Sequence, residues 1–381
     1  MITTEIDLTV AAGEAAEPGD RIPIARPDLP SFEDYTEMLS GIWDSKMLSN
    51  FGPVSQQLEQ EAADYLGVAH VRATASGDSG LTAVISALDI APGSPCFVSS
   101  YTFNSTINTA LWNQLVPVFV DIDIDTHNMS PAALARAVAE HDGEGLVLAT
   151  HVFGAPCDVE AIAAIAASAG HRLVFDAAHG FGSEHAGRKV GNFGDAEMFS
   201  LSGTKPVTSA EGGLISTNHD WLMDRLELAR GYGFRNDYRS ERMGLNGKMS
   251  ELHAALGLIN LRRIDDILDA RDRHVARYHE VLGDAVGWQT VRPGDRSSTK
   301  DLVVHLGDRR GDVEAALATA NVQTKRYFVP LHTMPAYSKF LTGELPGTEA
   351  AFDASLCIPL FGDMTTAQVD RVCDVVLDTL G

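Results

Sequence analysis

Short apolar runs alternate with helical patterns over the first two thirds of the chain. The apolar runs include HVRAT, CFVSS, VPVFVDI, GLVLATHV, RLVFDAA, EMFSLS and GLIST. The segments between them have helical periodicity, as in QQLEQEAADYLG, GLTAVISALDI, STINTALWNQL, PAALARAVAEH and DVEAIAAIAASAG. Strands that are apolar on both faces and alternate with helices are typical of a parallel sheet covered by helices. The pattern therefore predicts an α/β domain with a mostly parallel central sheet.

The remaining third has a different pattern. A polar, basic stretch, RGYGFRNDYRSERMGLNGKMS, precedes the long helical pattern ELHAALGLINLRRIDDILDARDRHVARYHEVLG, and DLVVHL is a further strand. These segments predict a smaller α+β domain at the C-terminus. We expect a flexible tail over residues 1–20, a large domain over residues 21–255 and the small domain over residues 256–381, because the first segment is acidic and has no periodicity.

Charge and cysteine content exclude several classes of protein. The chain carries 29 basic and 52 acidic residues, a formal net charge of -23. Such a chain is repelled by nucleic acids and anionic membranes, so we expect neither as a partner. There is no apolar run long enough to cross a bilayer and no secretory signal, which favours a cytoplasmic location. The four cysteines form no C-x-x-C pair and the histidines no H-x-x-x-H pair, so we expect no metal site.

A nicotinamide dehydrogenase is a further class that the sequence disfavours. A dinucleotide site needs G-x-G-x-x-G between a strand and a helix. The segment HGFGSEHAG contains three glycines, but the third does not have the required spacing.

One lysine lies in an unusual setting, the stretch FSLSGTKPVTSAEGG at residues 199–213. Ser200 and Ser202 alternate with a leucine on the predicted strand and therefore face the same side. Lys205 follows them, surrounded by hydroxyl groups and glycines. Most lysines are solvated surface charges. The alternative is a lysine that forms a Schiff base with a cofactor whose phosphate binds the hydroxyls.

Two further segments follow predicted strands, where open α/β sheets place their ligands. In ATASGDSGLTA, Ser76, Gly77 and Asp78 lie at the start of a helix, where backbone N–H groups bind phosphate. An ordinary capped turn is the alternative. In SYTFNSTIN, Phe103 can lie flat on a planar ring or be a core aromatic residue.

The segment VFDAAH supplies a third group of this kind. Asp176 ends an apolar strand, where an unpaired carboxylate is costly. A cationic ring nitrogen would satisfy it, although a helix cap would do so as well. His179 follows three residues later and can reach a neighbouring oxygen. A phosphate site, a stacking aromatic residue, an acid and a lysine are together what pyridoxal 5'-phosphate (PLP) requires.

These motifs resemble the DegT/DnrJ/EryC1/StrS family of PLP-dependent nucleotide-sugar aminotransferases. The resemblance includes FDAAHGFGSEHAGRKVGNFGD, FSLSGTKPVTSAEGGLIST, SNFGPVSQQLEQEAADYLGV, GLNGKMSELHAALGL and YFVPLHTMPAY, and runs from RIPIARPDLP to the C-terminus. It implies the aspartate-aminotransferase-like fold, PLP fold type I. It also implies an obligate homodimer with shared active sites.

The resemblance implies a role for each matched residue. Lys205 is the Schiff-base lysine, Asp176 pairs with the pyridine nitrogen and His179 lies beside the ring hydroxyl. The stacking aromatic residue is Phe103, and Ser200 with the loop from Ser76 through Gly77 to Asp78 holds the phosphate. Asn246 reaches the cofactor phosphate of the partner subunit. Ser202 replaces a histidine that the family often has, so a contact specific to that histidine is not expected here.

The substrate that the resemblance implies is a nucleotide-linked 4-keto-6-deoxyhexose, with L-glutamate as the amino donor. Candidate residues for binding it are Arg235, Tyr238, Lys248, Lys325, Arg326, Tyr327 and His332. Each charged residue among them can instead be a solvated charge or part of an ion pair.

The position of amination and the presence of catalysis each leave an alternative open. Glu211 in TSAEGG resembles members that aminate C4, which favours a 4-amino-4,6-dideoxy sugar, and the nucleotide carrier that we predict is dTDP. A C3 aminotransferase of the same family is the first alternative. A non-catalytic partner or regulatory protein is the second, and the retained Lys205 argues against it.

Overall fold

The computed structural model describes residues 21–235 and 237–381, so the predicted tail over residues 1–20 lies outside the described residues. The helices are α1 (Phe32–Ser45), α2 (Pro53–Leu66), α3 (Gly77–Ala87), α4 (Asn104–Trp112), α5 (Pro131–Ala139), α6 (Val159–Ser168), α7 (Asp220–Arg230), α8 (Glu251–Leu261), α9 (Ile264–Leu282), α10 (Arg310–Thr319), α11 (Pro346–Ala354) and α12 (Thr366–Leu380). The strands are β1 (His70–Thr74), β2 (Pro95–Ser99), β3 (Val116–Val120), β4 (Leu146–Thr150), β5 (Arg172–Asp176), β6 (Glu184–His185), β7 (Arg188–Lys189), β8 (Ala196–Ser200), β9 (Gly213–Thr217), β10 (Gly287–Trp288), β11 (Leu302–His305) and β12 (Ser355–Ile358).

A seven-stranded central sheet has the strand order β1–β9–β8–β5–β4–β2–β3. Strand β9 pairs antiparallel with both β1 and β8, and the remaining neighbours pair in parallel. Helices cover the sheet, with buried aliphatic side chains between helix and strand. This arrangement confirms the predicted α/β class and mostly parallel sheet.

The topology brings the candidate segments to one edge of the sheet. Strands β1, β5 and β8 run in the same direction, so their C-terminal ends share that edge. Helix α3 begins three residues after β1 ends, and the connection from β8 to β9 contains Lys205. Ligands bind at this edge in open α/β sheets.

A second, three-stranded antiparallel sheet has the order β10–β11–β12. It shares a hydrophobic core with α9, α10 and α12, and that core includes Tyr278, Val304, Leu356 and Val372. The C-terminal region therefore has the predicted α+β character. Ile22 lies in the same core, so the beginning of the described chain packs with its end.

The long helical pattern forms two helices, because α8 ends at Leu261 and α9 begins at Ile264. Side chains of α8 pack in the core that also contains Phe199 and Leu201. Helix α9 starts in that core and ends in the core of the smaller sheet. The division of the domains at residue 255 stays a prediction.

Within residues 21–235 and 237–381, no helix is long and apolar enough to cross a membrane. All four cysteines are free and buried. The cytoplasmic location stays a prediction.

Candidate active site

A cavity of about 310 Å³ lies at the C-terminal ends of the parallel strands. It is walled on one side by the sheet edge and on the other by residues 300–301 and 327–328. The predicted site residues that line it are Ser76, Gly77, Asp78, Phe103, Asp176, His179, Ser200, Ser202, Lys205 and Tyr327. Segments that are far apart in the sequence are thus brought into one site.

A larger groove of about 430 Å³ lies beside β1, away from this edge. Its charged side chains pair with one another: Arg230 binds Glu59 and Glu227, and Arg72 also contacts both carboxylates. The groove has no lysine, serine or cysteine among its lining residues. The chemistry of the side chains therefore favours the smaller cavity as the active site.

Lys205 supplies the reactive amine of the cavity. No hydrogen bond joins its Nζ to another group in the described part of the chain. Burial and, to a smaller extent, the nearby ammonium of Lys300 lower the pKa of Lys205 to about 7, against the opposing charges of Asp301 and Asp176. An amine with this pKa is partly unprotonated at neutral pH, and only that form is a nucleophile.

Asp176 ends β5 and lies at the bottom of the cavity, almost completely buried. Its Oδ2 accepts a hydrogen bond from Thr106 Oγ1 at 2.6 Å, and its Oδ1 accepts one from the Ala178 N–H at 3.0 Å. Burial raises the pKa of Asp176, while these two hydrogen bonds act in the opposite direction. A buried carboxylate with remaining acceptor capacity can hold a cationic ring nitrogen.

His179 lies between aromatic side chains, with its ring stacked near Phe153 and Phe328. Burial lowers the pKa of His179 well below its ordinary value, so the imidazole is neutral. Its Nδ1 is buried and has no hydrogen-bond partner in the described part of the chain. His179 also lines the cavity, so its imidazole can contact a bound group.

The start of α3 supplies the anion site. Ser76 caps the helix by accepting a hydrogen bond from the Ser79 N–H at 3.1 Å, and Ser79 Oγ accepts one from the Ser76 N–H at 3.0 Å. A Cβ on Gly77 would lie 3.3 Å from Ser200 Cβ, so the glycine lets the helix start approach β8 closely. The free N–H groups of such a helix start, with a neighbouring serine hydroxyl, suit a phosphate.

Phe103 stands at the mouth of the cavity, where it is the N-cap residue of α4 and 59% exposed. An exposed ring beside a polar cavity is consistent with stacking on a ligand rather than with the core role that was the alternative. Asp78, which also lines the cavity, is bound by the hydroxyl of Ser105. Both segments are therefore ordered by contacts between α3 and α4.

Several residues of the site were not predicted, and four of them bear on its chemistry or its shape. Thr106 binds Asp176, and its signal in the sequence was its place one helical turn after Phe103 in SYTFNSTIN. Lys300 and Asp301 line the cavity as a buried ion pair with Nζ 2.8 Å from Oδ1, and Phe328 forms part of the wall. The last three lie on the C-terminal part of the chain, and no local pattern indicates that they face the strand ends.

The other predicted residues do not line the cavity. Asn246 is exposed and lies on the segment that follows α7. Four of the predicted substrate-binding residues have partners outside the cavity: Arg235 pairs with Asp224, Lys248 lies over the ring of Tyr232, Arg326 pairs with Glu314, and His332 bonds to Ser100. Tyr238 is 85% exposed. Lys325 Nζ binds the hydroxyl of Tyr327 at 2.9 Å, which places it next to the cavity wall. Substrate binding by these residues stays a prediction.

The donor set fits PLP. The cavity holds a free amine, a buried carboxylate at a strand end, a neutral imidazole and a helix start with serine hydroxyls. An aminotransferase that uses PLP needs these groups.

The sequence matches the DegT/DnrJ/EryC1/StrS aminotransferase family over residues 31–377, and the chain belongs to this family. It is therefore a PLP-dependent sugar aminotransferase, which confirms the predicted family, enzyme class and cofactor.

Two relatives and one solved structure illustrate the similarity. The chain is 32% identical to the GDP-perosamine synthase of Caulobacter vibrioides, over 92% of this chain and 96% of the relative. It is 29% identical to the dTDP-4-amino-4,6-dideoxy-D-glucose transaminase of Escherichia coli, over 93% and 98%. The crystal structure of DesI in the presence of its TDP-sugar product is 31% identical, with a TM-score of 0.88 over 95% of this chain and 93% of that chain.

Proposed function

We propose that the protein transfers the amino group of L-glutamate to C4 of a nucleotide-linked 4-keto-6-deoxyhexose, giving a 4-amino-4,6-dideoxy sugar. The main observation in support of a catalytic role is that the amine of Lys205 and the buried carboxylate of Asp176 line the same cavity. A non-catalytic protein would not need to keep this pair, so we prefer an enzyme to a regulatory partner.

The bound cofactor would supply an electron sink for the carbanion that forms at the donor Cα. Asp176 would hold the ring nitrogen protonated, since Thr106 and Ala178 fix its carboxylate. Lys205 would accept a proton from the donor Cα in the first half of the reaction. In the second half it would deliver a proton to the sugar carbon that receives the amino group. Its pKa of about 7 suits an amine that must both accept and release a proton.

Other groups would orient the cofactor. The start of α3, with Ser76 and Ser200, would hold the phosphate, and Phe103 would cover the ring at the cavity mouth. His179 is neutral and would contact the ring hydroxyl. The remaining wall, formed by residues 300–301 and 327–328, faces the space in which substrate must bind.

The names of the relatives and the position of Glu211 bear on the carrier nucleotide and on the carbon that is aminated. Of the two named relatives, one is called a GDP-perosamine synthase and the other makes or uses a dTDP-4-amino sugar by its name. DesI was solved with a TDP-sugar product. Together with Glu211 in the cavity lining, this favours dTDP and C4. A GDP carrier or a 3-keto acceptor is the competing assignment.

We further infer a homodimer with shared active sites. Large apolar side chains are exposed on the chain, including Phe32, Trp43, Trp112, Tyr238 and Met243. Exposed apolar side chains form an interaction surface where they lie in one contiguous patch. Asn246 is exposed close to Met243 in sequence and binds nothing in its own cavity, which fits a role toward the cofactor of a second subunit.

The decisive measurement is the absorption spectrum of the purified protein with PLP, before and after L-glutamate, beside a Lys205→Ala variant. We expect visible absorption of the lysine-bound cofactor in the wild type, its loss with glutamate, and no catalytic turnover in the variant. Absence of the visible band in the wild type would refute the function. Incubation with 4-keto and 3-keto sugars linked to dTDP or GDP then identifies the acceptor.

A further inference from the structure

Lys300 and Asp301 form a charged pair in the wall of the cavity, and neither residue takes a direct part in the proton transfers or the cofactor contacts proposed above. Their side chains are 5% and 6% exposed, and Lys300 Nζ lies 2.8 Å from Asp301 Oδ1. Both residues line the cavity that contains Lys205. Desolvating two charges costs free energy, so a buried pair at this place requires an explanation.

The segment that carries the pair is fixed from several sides. The guanidinium of Arg271, on α9, donates hydrogen bonds to the carbonyls of Thr299 and Lys300, each at 2.9 Å. Ser298 Oγ donates to the carbonyl of His179 at 2.6 Å. Thr299 has a φ of 43°, a left-handed backbone that a β-branched residue rarely adopts. The segment thus contains a strained backbone at Thr299, and buried hydrogen bonds from Arg271 and Ser298 hold it in place.

The pair has hydrogen-bonding capacity that the protein leaves unused. An ammonium has three N–H donors, and Lys300 uses one of them on Asp301. Asp301 Oδ2 is buried and has no partner in the described part of the chain. A buried acceptor without a partner destabilises the protein, and a hydrogen bond from a ligand hydroxyl would remove this cost. Lys300 lowers the pKa of Asp301 to about 2 although burial opposes this, so the group is a carboxylate at neutral pH.

The charges decide which kind of ligand fits. The pair is electrically neutral as a whole, and a ligand carboxylate or phosphate would meet the negative charge of Asp301 as well as the positive charge of Lys300. A neutral ligand with neighbouring donor and acceptor groups meets no such repulsion. The hydroxyl and keto groups of a sugar ring have this character.

We propose that Lys300 and Asp301 form the subsite that recognises the sugar ring of the acceptor, with Lys300 donating to a keto or hydroxyl oxygen and Asp301 accepting from a hydroxyl. This proposal rests on the proposed function, because it requires a keto sugar in the cavity. The pair would select the sugar, while the nucleotide and its diphosphate bind elsewhere.

The test measures binding in a Lys205→Ala background, where any effect of Lys300 on the reactivity of Lys205 is absent. Calorimetry compares a 4-keto-6-deoxyhexose linked to dTDP with dTDP alone, and the same pair with GDP, on protein loaded with pyridoxamine phosphate. We expect Lys300→Met and Asp301→Asn each to weaken binding of the nucleotide sugar by on the order of tenfold. Binding of the bare nucleotide should change by less than about twofold.

Equal losses for nucleotide sugar and bare nucleotide, or no loss for either, would overturn the proposal. Because a single substitution leaves one buried charge unpaired, the double variant Lys300→Met with Asp301→Asn is measured beside each, together with its thermal midpoint. Lys339→Met, which removes an exposed ammonium outside the cavity, is the matched control. Failure of the proposed function is distinguished separately, because it would appear as a wild-type spectrum that does not respond to L-glutamate.

Discussion

Burial opposes ionisation of Asp176, and its neighbours stabilise the carboxylate form. Burial raises the pKa of Asp176, whereas the hydroxyl of Thr106 and the N–H of Ala178 stabilise the ionised form. A carboxylate that is only partly stabilised in the free protein gains most when a cationic ring nitrogen binds to it. Thr106 is thus a positioning residue that acts through Asp176.

The substitution Thr106→Val tests this role, because it removes the hydroxyl and keeps the shape. We expect kcat/KM at neutral pH to fall by about tenfold, since a hydrogen bond to a charged group is lost. Losing that bond raises the pKa of Asp176 further. Because the carboxylate form is the active one, activity is lost as pH falls through this pKa, and the acid limb of the kcat/KM profile should move to higher pH.

Thr109→Val provides the control for Thr106→Val. Thr109 is buried on the same helix, and its hydroxyl donates only to the carbonyl of Thr106 at 3.0 Å. We expect its acid limb to stay at the wild-type pH. An unchanged limb in both variants would mean that Thr106 does not act through Asp176.

The pKa of Lys205 gives a second prediction at this scale. An unprotonated amine captures an aldehyde and an ammonium does not, so capture of PLP by the cofactor-free protein should rise with pH and be half-maximal near pH 7. An ordinary lysine would need a pH of about 10. Lys300→Met should move the midpoint upward, because it removes a like charge, and Asp301→Asn should move it downward.

Borohydride reduction at each pH, followed by mass spectrometry of the peptide that contains Lys205, gives the captured fraction. Exposed Lys339 serves as the internal reference for an ordinary lysine. A midpoint for Lys205 equal to that of Lys339 would contradict the predicted effect of burial and of Lys300.

At the scale of elements, local pattern was sufficient for the sheet and insufficient for the far wall of the cavity. Alternating apolar runs predicted the strands, and the placement of Ser76, Asp176 and Lys205 at strand ends followed from parallel pairing. The pair Lys300 and Asp301 reaches the cavity because Arg271 on α9 binds the carbonyl of Lys300, and Ser298 in the same segment binds the carbonyl of His179 in the loop after β5. Contacts between residues far apart in the sequence leave no periodic signal, so Lys300 and Asp301 were not predictable, whereas Tyr327 in the same wall was named through the family resemblance.

Arg271 should therefore contribute strongly to the stability of the region that carries that wall. Its guanidinium is buried and satisfies the carbonyls of Thr299 and Lys300. In Arg271→Met these carbonyls lose their partner, which should lower the free energy of unfolding by about 3 kcal/mol in urea denaturation. Arg273→Met, at an exposed position on the same helix, should change it by less than about 0.5 kcal/mol. Equal effects would show that the hydrogen bonds of Arg271 are not stabilising.

At the scale of the whole molecule, the acidic balance of the chain extends into the cavity. The net charge is -23, and the two lysines that line the cavity are outnumbered there by the carboxylates of Asp78, Asp176, Glu211 and Asp301. Charge alone therefore does not draw an anion into the cavity, and a phosphate depends on the N–H groups at the start of α3 and on cations outside the lining, such as Lys325 beside the wall. The chain by itself leaves Asn246 exposed and outside the cavity, so a second subunit would be needed to complete the phosphate site in the proposed dimer.

Shared active sites make a quantitative prediction for mixed dimers. Lys205→Ala and Asn246→Leu should each be inactive or strongly impaired as homodimers, because every site lacks one of the two groups. In a mixed dimer, one site combines Lys205 from one subunit with Asn246 from its partner, while the other site carries both defects. Random pairing of equal amounts makes about half of the dimers mixed, so about one quarter of all sites should be intact.

Co-expression with two different tags and purification over both isolates the mixed dimer for assay. If its activity does not exceed the sum of the two parent variants, the active site is not shared through Asn246. The same assay with Asn246→Leu replaced by Asp176→Asn should restore nothing, because Lys205 and Asp176 line the cavity of a single chain.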